Sequence, residues 1–226
     1  MAEGEETSTV SVPTGIYINQ NNGDDANDEL NNEQEQSTEN ENSSTNYEVT
    51  NNDELAAALE QVATSTATEA VIVLKNDVVA PSTPEGTYVT SFGVAGKHIT
   101  VKSEDGEMKK LSFSSRGILT GDCTFDNIDV IGSRLYCNGY RTIFTENGQI
   151  HLSETLYGGG YKTTVNSTYV VIASTGYINP SSSSGLHNVI GGSYQGSVEG
   201  DTYLEITGNI KMHLLLNCSK KPQHFR

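Results

Sequence analysis

Lysine and arginine are missing from the first 74 residues of this 226-residue chain, although that stretch holds sixteen of its twenty-nine acidic residues. From residue 75 onward thirteen acids meet thirteen bases, so the formal net charge of −16 belongs to the N-terminal segment. The remainder is neutral overall, so the strong positive field that gathers nucleic acid or an anionic membrane surface is ruled out, and nucleic acid is excluded as an expected partner. Cysteine is equally scarce. Cys123, Cys137 and Cys218 show neither a CxxC nor a Cys/His metal spacing, and three thiols cannot complete a disulfide framework. The redox compartment stays open. Hydrophobic residues make up 35% of the chain, and no apolar run approaches the roughly 18 residues of a membrane span, so membrane insertion is not expected. The opening Met-Ala-Glu-Gly-Glu-Glu lacks the basic and apolar regions of a signal peptide. It fits a mature secreted form, an added Met or a misassigned start. No Gly-x-Ser-x-Gly elbow, His-Glu-x-x-His helix, Walker loop or dinucleotide fingerprint occurs.

Residues 19–53 are low in complexity, dominated by Asn, Glu, Asp, Gln, Ser and Thr, and cannot offset the entropy of ordering. The expected organisation is an acidic disordered segment over 1–50, a capping helix over 51–64, a β domain over 65–210 and a basic tail over 211–226. Leu55, Ala58, Leu59 and Val62 fall at i, i+3, i+4 and i+7, one apolar stripe on a short helix, with Asp53 as its expected N-cap. Beyond residue 70 the pattern shifts to short β-rich runs at 71–74, 88–91, 98–102, 111–113, 118–120, 128–131, 142–144, 169–172 and 203–206, punctuated by Gly, Asn, Asp and Ser. Lys211 to Arg226 carries no acid and no further repeat. Such an end fits a C-terminal cap or a truncated or frameshifted end, with the second favoured.

An internal repeat narrows the all-β options of sandwich, barrel and solenoid. Leu156-Tyr-Gly-Gly-Gly-Tyr161 aligns with Val189-Ile-Gly-Gly-Ser-Tyr194, Val165 with Val198 at a spacing of 33, and Thr168 with Thr202 at 34. A unit of this length cannot bury its own apolar face and must stack on a neighbour. Its runs, Thr-Tyr-Val-Val-Ile and Thr-Tyr-Leu-Glu-Ile, are β-branched and too short for helices. The expected fold is an all-β, right-handed parallel β-helix with a short N-terminal capping helix that shields its open end. Its corners call for positive φ at Gly158–Gly160, Gly191, Gly192, Asn138-Gly139 and Asn147-Gly148.

Gly15-Ile-Tyr-Ile-Asn19 followed by Asn22-Gly-Asp-Asp-Ala-Asn-Asp28 resembles the opening of bacterial secreted right-handed β-helix proteins. Thr124-Phe-Asp-Asn-Ile-Asp129, Leu135-Tyr-Cys-Asn-Gly-Tyr140 and the two Gly-rich units are similar to pectate-lyase-like repeats in cell-surface proteins of gut Firmicutes. Glu29 stands where that family has Gly. The resemblance implies a bacterial extracellular or cell-surface location and leaves the activity open, because the scaffold serves lyases, hydrolases, adhesins and passive stalks alike.

Candidate sites follow from residue chemistry. Asp122, Asp126 and Asp129 form a dense acidic group, with Arg116, Arg134 and Arg141 at comparable repeat positions. Carboxylates of this kind can hold calcium, and an arginine beside them can handle a proton of a uronate, so these are the catalytic and metal candidates of a polysaccharide lyase. The competing reading has them decorating turns. Asp24, Asp25, Asn27 and Asp28 form a second calcium candidate without the EF-hand glycine. Tyr157, Tyr161, Tyr169, Tyr177, Tyr194 and Tyr203 recur with the repeat and can form a carbohydrate- or host-binding ladder, or else stack on their repeat counterparts. Three functions are therefore carried forward: a non-catalytic extracellular scaffold or adhesion module without a required cofactor, binding a glycan or host surface protein; a calcium-dependent lyase; and an inactive fragment of a larger surface protein.

Overall fold

Short β-branched and aromatic runs leave backbone N–H and C=O groups that only a neighbouring segment can satisfy. In the computed structural model, which describes residues 45–104, 106–179 and 189–212, three sheets satisfy them. The first holds β1 (Thr45–Val49), β2 (Glu69–Leu74), β6 (His98–Ser103), β9 (Asp122–Asp126), β12 (Arg141–Phe144), β15 (Thr168–Ile172) and β18 (Thr202–Ile206), paired in that order. The second runs through β3 (Val78–Val79), β7 (Lys109–Ser112), β10 (Ile128–Gly132), β13 (Gln149–Leu152), β16 (Thr175–Ile178) and β19 (Ile210–Lys211). The third runs through β4 (Ser82–Thr83), β5 (Gly86–Phe92), β8 (Arg116–Leu119), β11 (Arg134–Tyr136), β14 (Leu156–Tyr157) and β17 (Val189–Ile190). Apart from the antiparallel β4–β5 pair, the strand pairs are parallel.

The chain visits the first, second and third sheets in the same order again and again, each visit pairing with the previous one. Successive passes through the first sheet are offset by 29 residues (Glu69 to His98), 24 (His98 to Asp122), 19 (Cys123 to Thr142), 28 (Arg141 to Tyr169) and 34 (Thr168 to Thr202). The repeat alignment holds residue for residue: Leu156 faces Val189, Tyr161 faces Tyr194, Val165 faces Val198 and Thr168 faces Thr202. Each of the nine β-rich runs falls on a strand, with Phe113 and Thr120 one residue past the ends of β7 and β8.

Alternation along the strands sends one side chain in two to a common core. Across the first sheet, Ile72, Val101, Phe125, Phe144 and Ile172 occupy one register row and are buried. Phe125 and Phe144 stack with ring centroids 4.9 Å apart, and Phe92 reaches in from the third sheet at 6.1 Å. The helix α1 (Asn52–Thr64) adds Leu55, Ala58 and Val62 to that core.

Three expectations need correction. The acidic segment ends before residue 50, because Thr45–Val49 pair with β2 as a strand whose Val49 is buried. The N-cap is Asn51 and not Asp53: the Asn51 Oδ1 accepts from Glu54 N at 3.0 Å, and the Glu54 carboxylate accepts from Thr50 N and Oγ1 at 2.7 Å. That reciprocal arrangement is a capping-box pattern, satisfying donors at both sides of the helix start. Finally, Asn138-Gly139 does turn with positive φ (56° and 83°), but Asn147-Gly148, Gly158–Gly160, Gly191 and Gly192 do not. At Gly158 and Gly159 the lack of a side chain serves close approach, since a Cβ on Gly158 would lie 2.5 Å from Gly191 O and one on Gly159 2.1 Å from Ser193 Oγ.

Candidate functional site

The tyrosines divide among the three sheets. On the first, Tyr169 and Tyr203 are register partners and stack 4.5 Å apart, with the Arg141 guanidinium 5.1 Å from the Tyr169 centroid. On the second, Tyr177 lies 4.7 Å from the His151 ring. On the third, Tyr157 and Tyr194 belong to a larger group that includes Tyr136, Tyr161 and Tyr88. Repeat counterparts therefore spend their ring faces on one another. Only the edges, the hydroxyls and the outermost rings remain for a ligand.

The group on the third sheet has two layers. Tyr136 and Tyr157, register partners on β11 and β14, stack 4.7 Å apart with planes 5° from parallel. Both are buried, yet they point away from the core shared by Leu135 and Leu156. What covers them is the second layer: Tyr161 sits edge-on to Tyr136 at 5.6 Å and Tyr194 edge-on to Tyr157 at 5.7 Å, while Tyr161 and Tyr194 stack on each other at 5.4 Å. The Arg116 guanidinium lies 3.8 Å from the Tyr161 centroid and 5.9 Å from that of Tyr88. Lys162 Nζ stands 5.2 Å from Tyr161. Burial pushes the Tyr136 hydroxyl up to about 12 and raises that of Tyr157. Neither Tyr136 nor Tyr88 was singled out from sequence. Tyr136 faces a counterpart only 21 positions on, and the uneven pass lengths hide that spacing.

The charged candidates do not converge. Arg116 and Arg134 are register partners on β8 and β11, each paired with its own acid: Arg116 with Glu85 at 3.0 Å, and Arg134 with Glu154. Arg141 lies on the first sheet. Asp122 and Asp126 occupy the two ends of β9, and Asp129 lies on β10 in the second sheet. Asp122 Oδ1 accepts from Arg141 N at 2.9 Å; Asp126 Oδ1 accepts from Thr145 Oγ1 at 2.7 Å and Asn147 Nδ2 at 3.0 Å; Asp129 Oδ1 pairs with His151 Nδ1 at 2.6 Å. Among the described residues no group of three His, Cys, Asp or Glu side chains could hold a metal ion. The second calcium candidate, Asp24 to Asp28, lies outside the described residues.

Other potentially reactive groups are shielded or isolated. Cys123 and Cys137 are fully buried and free; burial pushes the Cys123 thiol well up and the Cys137 thiol to about 12, so neither supplies a thiolate near neutrality. An apolar groove of about 540 Å³ beside α1, lined in part by Ala56, Leu59, Val94 and Tyr140, has Glu60 as its sole charged lining residue and offers no acid–base pair. No helix among the described residues is long and apolar enough to cross a membrane. Comparison with protein families, curated proteins and solved structures finds no match for this chain.

Proposed function

We propose that the chain folds as a right-handed parallel β-helix closed at one end by α1 and acts as a non-catalytic extracellular or cell-surface module, a scaffold or adhesion segment. The β-helix reading is supported by three sheets, parallel but for the β4–β5 pair, visited in fixed order, by the register rows that run across them and by an amphipathic helix at the start of the stack. The extracellular location draws on the resemblance to secreted repeat proteins.

One observation carries the non-catalytic reading: Asp122, Asp126, Asp129, Arg116, Arg134 and Arg141 are spread over three sheets, the aspartates, Arg116 and Arg134 each bonded to a local partner and the Arg141 guanidinium lying beside the Tyr169 ring. Polysaccharide cleavage needs such groups to meet at one sugar. The test is a depolymerisation assay of the folded chain on acidic and neutral polysaccharides, with calcium and with chelator. No new chain ends are expected under either condition. Calcium-dependent appearance of unsaturated ends would establish the lyase reading in its place.

A further inference from the structure

The outer face of the third sheet concentrates what the rest of the described surface spreads out. Of the four large hydrophobic side chains exposed among the described residues, Tyr88 and Tyr194 stand at the two ends of one column, Tyr88, Arg116, Tyr161, Tyr194. Besides Arg116 within it, two cations stand beside it, Arg134 and Lys162. Arg116 and Arg134 occupy one register row on neighbouring strands, which are about 4.8 Å apart in any sheet. Lys162 makes no ion pair among the described residues. The acids facing the arginines, Glu85 and Glu154, have side chains 59% and 41% exposed. Carboxylates this open to water hold their arginines weakly and can give way to an incoming anion.

We infer that this face binds a sulfated polysaccharide, an inference that rests on the non-catalytic module reading. Tyr194 offers an exposed ring to the C–H face of a sugar and Tyr88 a phenol to its hydroxyls. A sulfate ester brings three terminal oxygens, enough to accept from a guanidinium and the Lys162 ammonium together. A uronate brings a two-oxygen carboxylate, the group that Glu85 and Glu154 already hold in place at high effective concentration. The strand spacing is close to the length of one pyranose residue, so consecutive sugars of a chain lying across the strands meet consecutive passes.

The test is isothermal titration of the full chain at low salt with dextran sulfate, heparin, polygalacturonate, unsulfated dextran and an oligothymidylate. Dextran sulfate and heparin are expected to bind and to be released by salt. The double variant Arg134→Gln, Lys162→Gln is expected to bind about tenfold more weakly with an unchanged circular dichroism spectrum. Absence of binding to both sulfated polymers, equal or tighter binding of polygalacturonate or oligothymidylate, or unaltered binding by the folded double variant would each overturn the inference. Cleavage of a bound polymer would sink the non-catalytic reading and leave the binding face standing; no binding and no cleavage would do the reverse.

Discussion

At the scale of single residues, this protein turns polar side chains into packing material. Tyr136 and Tyr157 are buried on the side of the third sheet that a strand pattern assigns to solvent, because Tyr161 and Tyr194 are folded over them. The consequence is pH-dependent. An unfolded tyrosine ionises near 10, whereas folded Tyr136 keeps its proton to about 12. In that window the unfolded chain binds fewer protons, so stability falls as pH rises. The urea midpoint is expected to drop between about pH 10 and about pH 12, the interval between the unfolded and folded values, and less steeply in Tyr136→Phe; equal slopes would refute the assignment. The buried thiols give a second prediction. At pH 8 Cys123 and Cys137 are expected to resist iodoacetamide in the folded protein and to react once it is unfolded, as read by peptide mass spectrometry. Rapid native labelling of either would contradict their burial.

Among the elements, legibility followed length and pattern. The stripe of Leu55, Ala58 and Val62 was readable because a helix repeats its buried face every three to four residues. The cap was not, since Asn51, Asn52 and Asp53 are all good N-caps by type and only backbone geometry selects Asn51. Asn51→Ala should therefore cost about 1 kcal/mol of stability in urea denaturation, and Asp53→Ala distinctly less. A reversal of that order would restore Asp53 as the cap. Strands such as β9, β11 and β13 escaped notice for a different reason: Asp122–Asp126, Arg134–Tyr136 and Gln149–Leu152 are short and carry polar residues on alternate positions. Neighbouring passes, not intrinsic propensity, hold them extended.

For the whole molecule, each pass touches mainly the one before and the one after, so protection should grade along the stack. Hydrogen exchange is expected to be slowest in β9, β10, β12 and β13 and fastest in the terminal strands β4, β17 and β19. Uniform protection from end to end would mean that the passes do not behave as nearest-neighbour units. The sequence by itself determined that the chain is β-rich, where its helix lies, and how its last two passes align, because hydrophobic period and repeat spacing are local properties that survive without a fold. The tertiary structure alone decided which residues meet. The passes differ in length from 19 to 34 residues, so positions that look equivalent along the chain fall on different sheets. That is why Arg116 and Arg134 became neighbours while Arg141 did not, why three aspartates close in sequence came to face separate partners, and why a single tyrosine ladder became three separate groups.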